Sequence, residues 1–240
     1  MPSKEAMVRR LHFCQWTDVN EVWISQAVWN NIETDIDIED YKGKQCFGGL
    51  DLSHTRDLSA LALAFPEEDF IDLFLWFWKA KEELKEAIKR DSVRYDLWAD
   101  EGFIELTQGK VIKLPPIARR LGWAQDNFDL QNVAYDQYRH KELPDDLADL
   151  GYVIPMIEHP QGFRRVAKFE DDQGQKILDE NGKPMGNPLW MPDSVQSLET
   201  AIIEGNLKTP VNPVFRWNVS SAVIRFDPAG TDNKIFDKRK

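Results

Sequence analysis

"CFGGLDLSHTRDLSALALAF", residues Cys46–Phe65, is the stretch whose reading decides the fold. From Leu58 to Phe65 it is apolar almost without a break, the pattern of a buried strand. At the other end Asp51 and Asp57 bracket a short polar segment of Ser53, His54 and Thr55. Gly48 and Gly49 precede Asp51 and permit a bulge or a close backbone approach. Two buried segments joined by a polar, acidic loop predict a sheet whose end presents carboxylates.

A second segment repeats the device. "LQNVAYD" reads as a short buried strand that closes on Asp136. If the two strands are neighbours, Asp51 and Asp136 meet at one end of the sheet. Adjacent anions repel, and one stays protonated near neutrality unless a counter-charge is present. A hard divalent cation such as Mg²⁺ or Mn²⁺ resolves the conflict, because it prefers oxygen ligands. Turn or helix capping by each Asp is the competing reading, and the residues alone leave both open. His54 is similarly open between a surface residue and one that approaches a phosphate.

Around this centre the chain divides into alternating elements. Gln45–Ser53, Leu58–Phe65 and Phe70–Trp78 are predicted strands, and the "PEED" turn makes the last two an antiparallel hairpin. "VNEVWISQAVWNNI" before them is a predicted helix with Val22, Trp23, Ala27 and Val28 on one face. After Ala80 a charged helical pattern runs to a stop at Gly102, and Pro116 to Ala124 forms another helix candidate. Leu143, Leu147 and Leu150 recur at helical spacing before Gly151. "YVIPMI" follows as a strand, near an edge because of Pro155.

Residues 168–189 carry Gln173-Gly174 and Asn181-Gly182 turn signals and predict an exposed β-hairpin insertion. "PDSVQSLETAIIEGN" is a helix with a cap at Asp193 or Ser194, and "PVFRWNVSSAVIRF" reads as the last strand. The order β-β-β, helices, β, helix, β, insertion, helix, β suits an α/β domain with a mixed central sheet covered on both faces.

The bulk numbers set limits. With 240 residues, 42% hydrophobic content and nine Trp, the chain can bury a substantial core. No apolar run is long enough to span a membrane, and the first residues lack the apolar centre of a signal peptide. Cys14 and Cys46 form no disulfide framework or zinc site and suit a reducing compartment. A net charge of -11 opposes a simple electrostatic grip on nucleic acid. Bound cations would reverse that locally. Basic clusters also stand at Arg9-Arg10, Arg119-Arg120, Arg139-His140-Lys141, Arg164-Arg165 and Lys238-Arg239-Lys240. Neither G-x-x-x-x-G-K-[ST] nor a strand-linked G-x-G-x-x-G is present, which excludes a P-loop ATPase. The aromatic run "FLWFW" reads as core rather than a base-stacking platform.

Several ordered pieces together resemble the nuclease domain of phage terminase large subunits. They are "WISQAVW", "CFGGLDLSHTRDLSALALAFP", "FWKAKEE", "YDLWADEGFIELTQG", "VAYDQYR", "PQGFRR", "SLETAIIEGNL" and "NPVFRWNVSSAVIRFDPAGTDNKIFDK". The resemblance implies an RNase H-like fold over residues 45–240, with residues 1–44 a helical linker packed on it. It implies a metal-dependent DNA endonuclease, a hydrolase that cuts double-stranded DNA during genome packaging. Asp51 and Asp136 match the family's first two metal ligands, and Asp57 an additional acid near the site. Two Mg²⁺ or Mn²⁺ ions about 4 Å apart are expected in the complete centre. Partners implied are the terminase ATPase domain, the portal and the small terminase subunit, in the host cytoplasm and not at a membrane. The family places a further Asp in an "RIDG"-like motif after a "DKRK"-like segment. This sequence ends within that segment, so truncation at the C-terminus is expected. A non-catalytic docking module and another RNase H-like nuclease, such as a junction resolvase, are the alternative readings.

Overall fold

The computed structural model describes residues 23–136, 142–164, 175–178, 180–182, 185 and 189–237. The decisive stretch forms β1 (Gln45–Asp51) and β2 (Ser59–Pro66), and β3 (Ile71–Ala80) completes the expected meander. β2 shows why it is a strand: Leu61, Leu63 and Phe65 are fully buried on one face, while the small Ala60, Ala62 and Ala64 line the other. β1 pairs antiparallel with β2, and β2 antiparallel with β3. The intervening turn closes through the Glu67 N–H, which donates to the Phe70 carbonyl at 2.8 Å.

Beyond the meander lie β4 (Glu105–Thr107), β5 (Asp129–Tyr135), β6 (Met156–Glu158) and β7 (Leu207–Lys208). The sheet order is β4-β3-β2-β1-β5-β6, with β7 also paired to β3. β5 runs parallel to β1, and β6 parallel to β5. The core order β3-β2-β1-β5-β6, antiparallel on one side of β1 and parallel on the other, is the RNase H-like arrangement. Among the described residues β6 lies at the edge of the sheet, in keeping with Pro155 just before it.

Helices cover both faces. Leu114, Ile117, Leu121 and Ala124 of α4 (Leu114–Asn127) and Leu143 and Leu147 of α5 (Leu143–Asp149) pack on Leu61, Leu63, Phe65, Phe74, Trp78 and Val133. On the opposite face α6 (Met191–Glu204) and α7 (Pro213–Ser221) bring Ile202 and Val219 against Trp23, Trp29 and Ile32. A third cluster joins Phe77 to Ala87 of α2 (Leu84–Asp91) and Tyr95 of α3 (Tyr95–Asp100). The aromatic run of β3 is therefore core, with Phe74, Phe77 and Trp78 buried.

Several expectations need correction. "PVFRWNVSSAVIRF" is mostly the helix α7, followed by the short β8 (Ile224–Phe226), which pairs with β9 (Lys234–Phe236). Asn212 caps that helix, its Oδ1 accepting from the N–H groups of Val214 and Phe215, and Pro213 suits the first turn. The charged run after Ala80 is two helices, α2 and α3, because Ser92 adopts φ 56. Of the helix expected near the start, the described residues hold α1 (Gln26–Trp29), whose buried residue is Trp29 while Ala27 is exposed. α6 begins at Met191 behind Trp190, so Asp193 and Ser194 lie in its first turn rather than at its cap. Its C-terminus ends as expected, on Gly205 at φ 74.

The hairpin expected at 168–189 lies largely outside the described residues. Within it, the Met185 N–H donates to the Ile177 carbonyl at 2.8 Å. The basic clusters at Arg9-Arg10, Arg139-His140-Lys141 and Lys238-Arg239-Lys240, together with Arg165, also lie outside them.

Candidate active site

The parallel pairing of β1 and β5 builds the site. Gly49 is opposite Ala134, and Leu50 is opposite Tyr135. Asp51 and Asp136 come next, so they leave the sheet side by side at the C-terminal ends of neighbouring strands, about 4.8 Å apart laterally. Leu50 points into the core, which turns Asp51 to the opposite face, where it is exposed; Asp136 is half-buried. Gly48 makes the close approach possible. A Cβ there would sit 2.7 Å from Val133 Cγ2, wedging the strands apart.

One strand further on, the His159 N–H donates to the Tyr135 carbonyl at 2.7 Å. The backbone order across this sheet end is therefore Asp51, Asp136, His159. The His159 ring ties the edge to α6: Nε2 is 2.8 Å from Ser194 Oγ, and Gln161 Nε2 is 3.2 Å from Nδ1. A Gln amide nitrogen can only donate, so Nδ1 accepts and the Nε2–H faces Ser194. Sequence reasoning missed this histidine. Its signal was position alone, directly after the strand in "YVIPMIEHP".

The loop between β1 and β2 is tied at three points. Ser59 Oγ accepts from the Ser53 N–H at 2.9 Å and closes its neck. The Ile112 N–H donates to the His54 carbonyl at 2.9 Å. Lys79 Nζ and Arg90 Nη2 both donate to the Arg56 carbonyl, at 2.8 and 3.0 Å. Lys79 is only 1% exposed, and its ammonium lies 4.8 Å from the Tyr95 ring centre. Burial pushes its pKa down, the Arg90 charge adds to that, and Asp91, Asp57 and Glu83 oppose it. Arg90 forks onto Asp91 at 2.7 and 2.8 Å, holding that carboxyl below the usual range. Asp57 and His54 are exposed, and the field of Asp57 reaches Lys79, Arg90 and Tyr95.

The sheet thus brings together Asp51 and Asp136, while Asp57 stands on the loop toward the Lys79–Arg90 side. Among the described residues no three His, Cys, Asp or Glu side chains converge to hold a metal ion. Two adjacent carboxylates nevertheless fit one hard divalent cation, with water completing its shell. Of the C-terminal acids, Asp227 is engaged in its own turn, accepting from the Ala229 N–H and the Thr231 hydroxyl.

This geometry defines a class: an RNase H-like α/β domain with paired acids at the ends of two central parallel strands. Residues 2–182 match the family described as terminase large subunit, endonuclease domain, and the chain belongs to that family. It is 29% identical over 241 residues to the terminase large subunit of Enterobacteria phage HK97, aligning over 100% of this chain and 42% of that protein. The crystal structure of the HK97 bacteriophage large terminase superposes with a TM-score of 0.71 at 28% identity, covering 99% of this chain and 44% of that one. The large terminase nuclease from thermophilic phage G20c gives a TM-score of 0.46 at 10% identity, with 90% of each chain covered. The chain therefore spans less than half of the HK97 protein it matches.

Proposed function

We propose that this nuclease domain cleaves double-stranded DNA with divalent cations held by Asp51 and Asp136, during packaging of a phage genome in the host cytoplasm. The observation that carries the reading is the strand register, Leu50 opposite Tyr135, which aligns the two acids. Their oxygens are hard ligands suited to Mg²⁺ or Mn²⁺. A cation bound there supplies Lewis acidity and offsets the charge of a phosphodiester. Asp51, on an exposed strand end, presents its carboxylate to solvent and substrate. Asp57 adds negative charge from the neighbouring loop, which favours a second cation in the complete site. The rigid strand bodies keep the acidic tips in place without reorganisation during the reaction. The terminase ATPase domain, portal and small subunit are the partners this reading implies. Among the described residues no helix is long and apolar enough to cross a membrane.

The test is plasmid nicking with Mn²⁺, comparing the chain with Asp51→Asn. Metal-dependent nicking lost in the variant supports the reading; equal cleavage by both removes Asp51 from the mechanism. A second reading, a docking module that binds DNA or a partner without cutting, draws on the lack of a third converging ligand among the described residues. DNA retention without nicking in the same assay would favour it.

A further inference from the structure

β3 buries two charged side chains: Asp72 near its start, which accepts from the Tyr41 hydroxyl at 2.6 Å, and Lys79 where the strand reaches the site. Phe77, Trp78 and Ala80 are buried, and between them Lys79 is 1% exposed. A buried ammonium loses its hydration, and a methionine of similar length would fill the space without that cost. The cost is met by a specific arrangement. Nζ donates to the Arg56 carbonyl at 2.8 Å and lies against the face of Tyr95.

Its position follows from the register. Asp51 is opposite Ala60, and Ala60 is opposite Phe77. Lys79 is two residues further along the same face, at the sheet end from which Asp51 emerges. The carbonyl that it holds belongs to the residue before Asp57. Arg90 reaches that same carbonyl from α2 at 3.0 Å, while the Asp91 carboxylate fixes its guanidinium. Two cations from different elements on one exposed-loop carbonyl exceed what closing the seven-residue connection 52–58 needs. The neck is already closed by Ser59.

We infer that Lys79 is a positioning residue for the reaction: with Arg90 it holds the Arg56 carbonyl and so fixes the loop that leaves Asp51 and carries Asp57. The pair also places positive charge within the field of Asp57, which tempers the repulsion between that acid and its neighbours. This inference rests on the nuclease reading above, and its test separates the two.

In the full chain, Lys79→Met is compared with the unsubstituted protein by amide exchange and by Mn²⁺-dependent nicking. Exchange of the amides at 53–58 should quicken about tenfold, as expected when a tied loop is released. The kcat for nicking should fall about tenfold while KM for DNA stays within about twofold, the signature of lost positioning rather than lost binding. A purely structural lysine would lower Tm without that split. Unchanged loop exchange, or an unchanged kcat with a quickened loop, overturns the proposal. Should Lys79→Met not fold, Arg90→Gln removes the second donor from a side chain that is 44% exposed, and must show the same direction of change in both readouts. No change in Arg90→Gln also overturns it. If the unsubstituted chain nicks no DNA, the nuclease reading fails, and the clamp stands or falls on loop exchange.

Discussion

Leu50 on β1 and Tyr135 on β5 are opposite one another in a parallel pair, and the residue after each is an aspartate. Because parallel partners share a face, this one register assignment puts Asp51 and Asp136 on the same side of the same sheet end. A slip of one residue would send one carboxylate to the opposite face.

Asn at either position keeps the shape and removes the charge that a cation needs. Asp51→Asn and Asp136→Asn should each reduce Mn²⁺-dependent nicking by at least about 100-fold. Stability should stay within about 0.5 kcal/mol for Asp51→Asn, since that side chain is exposed. Calorimetric titration with Mn²⁺ should show binding weakened in both variants. Unaltered binding in either would remove that residue from the metal site.

Gly48→Ala tests the contact between the two strands. Its new methyl would meet Val133 Cγ2 at 2.7 Å, whereas a Cβ on Gly49 meets nothing within 4 Å. Gly48→Ala should cost roughly 1–3 kcal/mol, while Gly49→Ala should be nearly neutral in thermal melts. Adding Val133→Ala to Gly48→Ala should recover part of the loss, a favourable coupling in a double-mutant cycle. Additive losses would show that the methyl clash is not the cause.

Alkaline stability follows from buried acids. Burial, with the Asp129 charge in support, pushes the Cys46 thiol from 9.0 up to about 12. Between those values the unfolded chain has released the proton and the folded chain has not. Cys46 therefore contributes stability that is present below pH 9 and is lost toward pH 12, at about 1.4 kcal/mol per pH unit in between. Tyr41 and Tyr95 are also raised by burial and act with the same sign, while the lowered Lys79 acts with the opposite one. Urea melts from pH 8 to 11 should show Cys46→Ala losing less stability with rising pH than the parent. Equal slopes would contradict the burial argument.

Asn212→Ala removes the oxygen that accepts from Val214 and Phe215 at 3.0 and 3.1 Å. A loss of about 1 kcal/mol is expected, or roughly 2–4 °C in Tm for a chain of this size. Asn212→Asp, which retains the acceptor oxygen, should preserve stability. A stable Asn212→Ala protein would mean that α7 draws nothing from its cap.

The meander was legible because its information is local. Period-two burial in "SALALAF" and a four-residue turn specify β2 and β3 without reference to the rest of the chain. Helical spacing likewise revealed α6, down to Gly205. The segment from Pro213 misled because Val214, Phe215, Trp217 and Val219 favour strands intrinsically. Capping by Asn212 and burial of Val214 and Val219 in two separate clusters outweigh that preference. His159 was invisible for a different reason: its partners, Ser194 and Gln161, are defined only once α6 packs beside β6.

By itself, the sequence determined that an acid ends each of two strands, since period and residue type are properties of short segments. It overstated their burial, because β1 is buried on one face and β5 only at Val133. Only the tertiary structure decided that those strands are parallel neighbours and in register. Pairing between distant segments depends on the sum of packing across the sheet, including the absence of a side chain at Gly48 opposite Val133. Lys79 makes the same point from the other direction. On the page it stands where an apolar run meets a charged one. In the fold, the pairing of β4 with Trp78–Ala80 extends β3 past that boundary and buries the ammonium against Arg56.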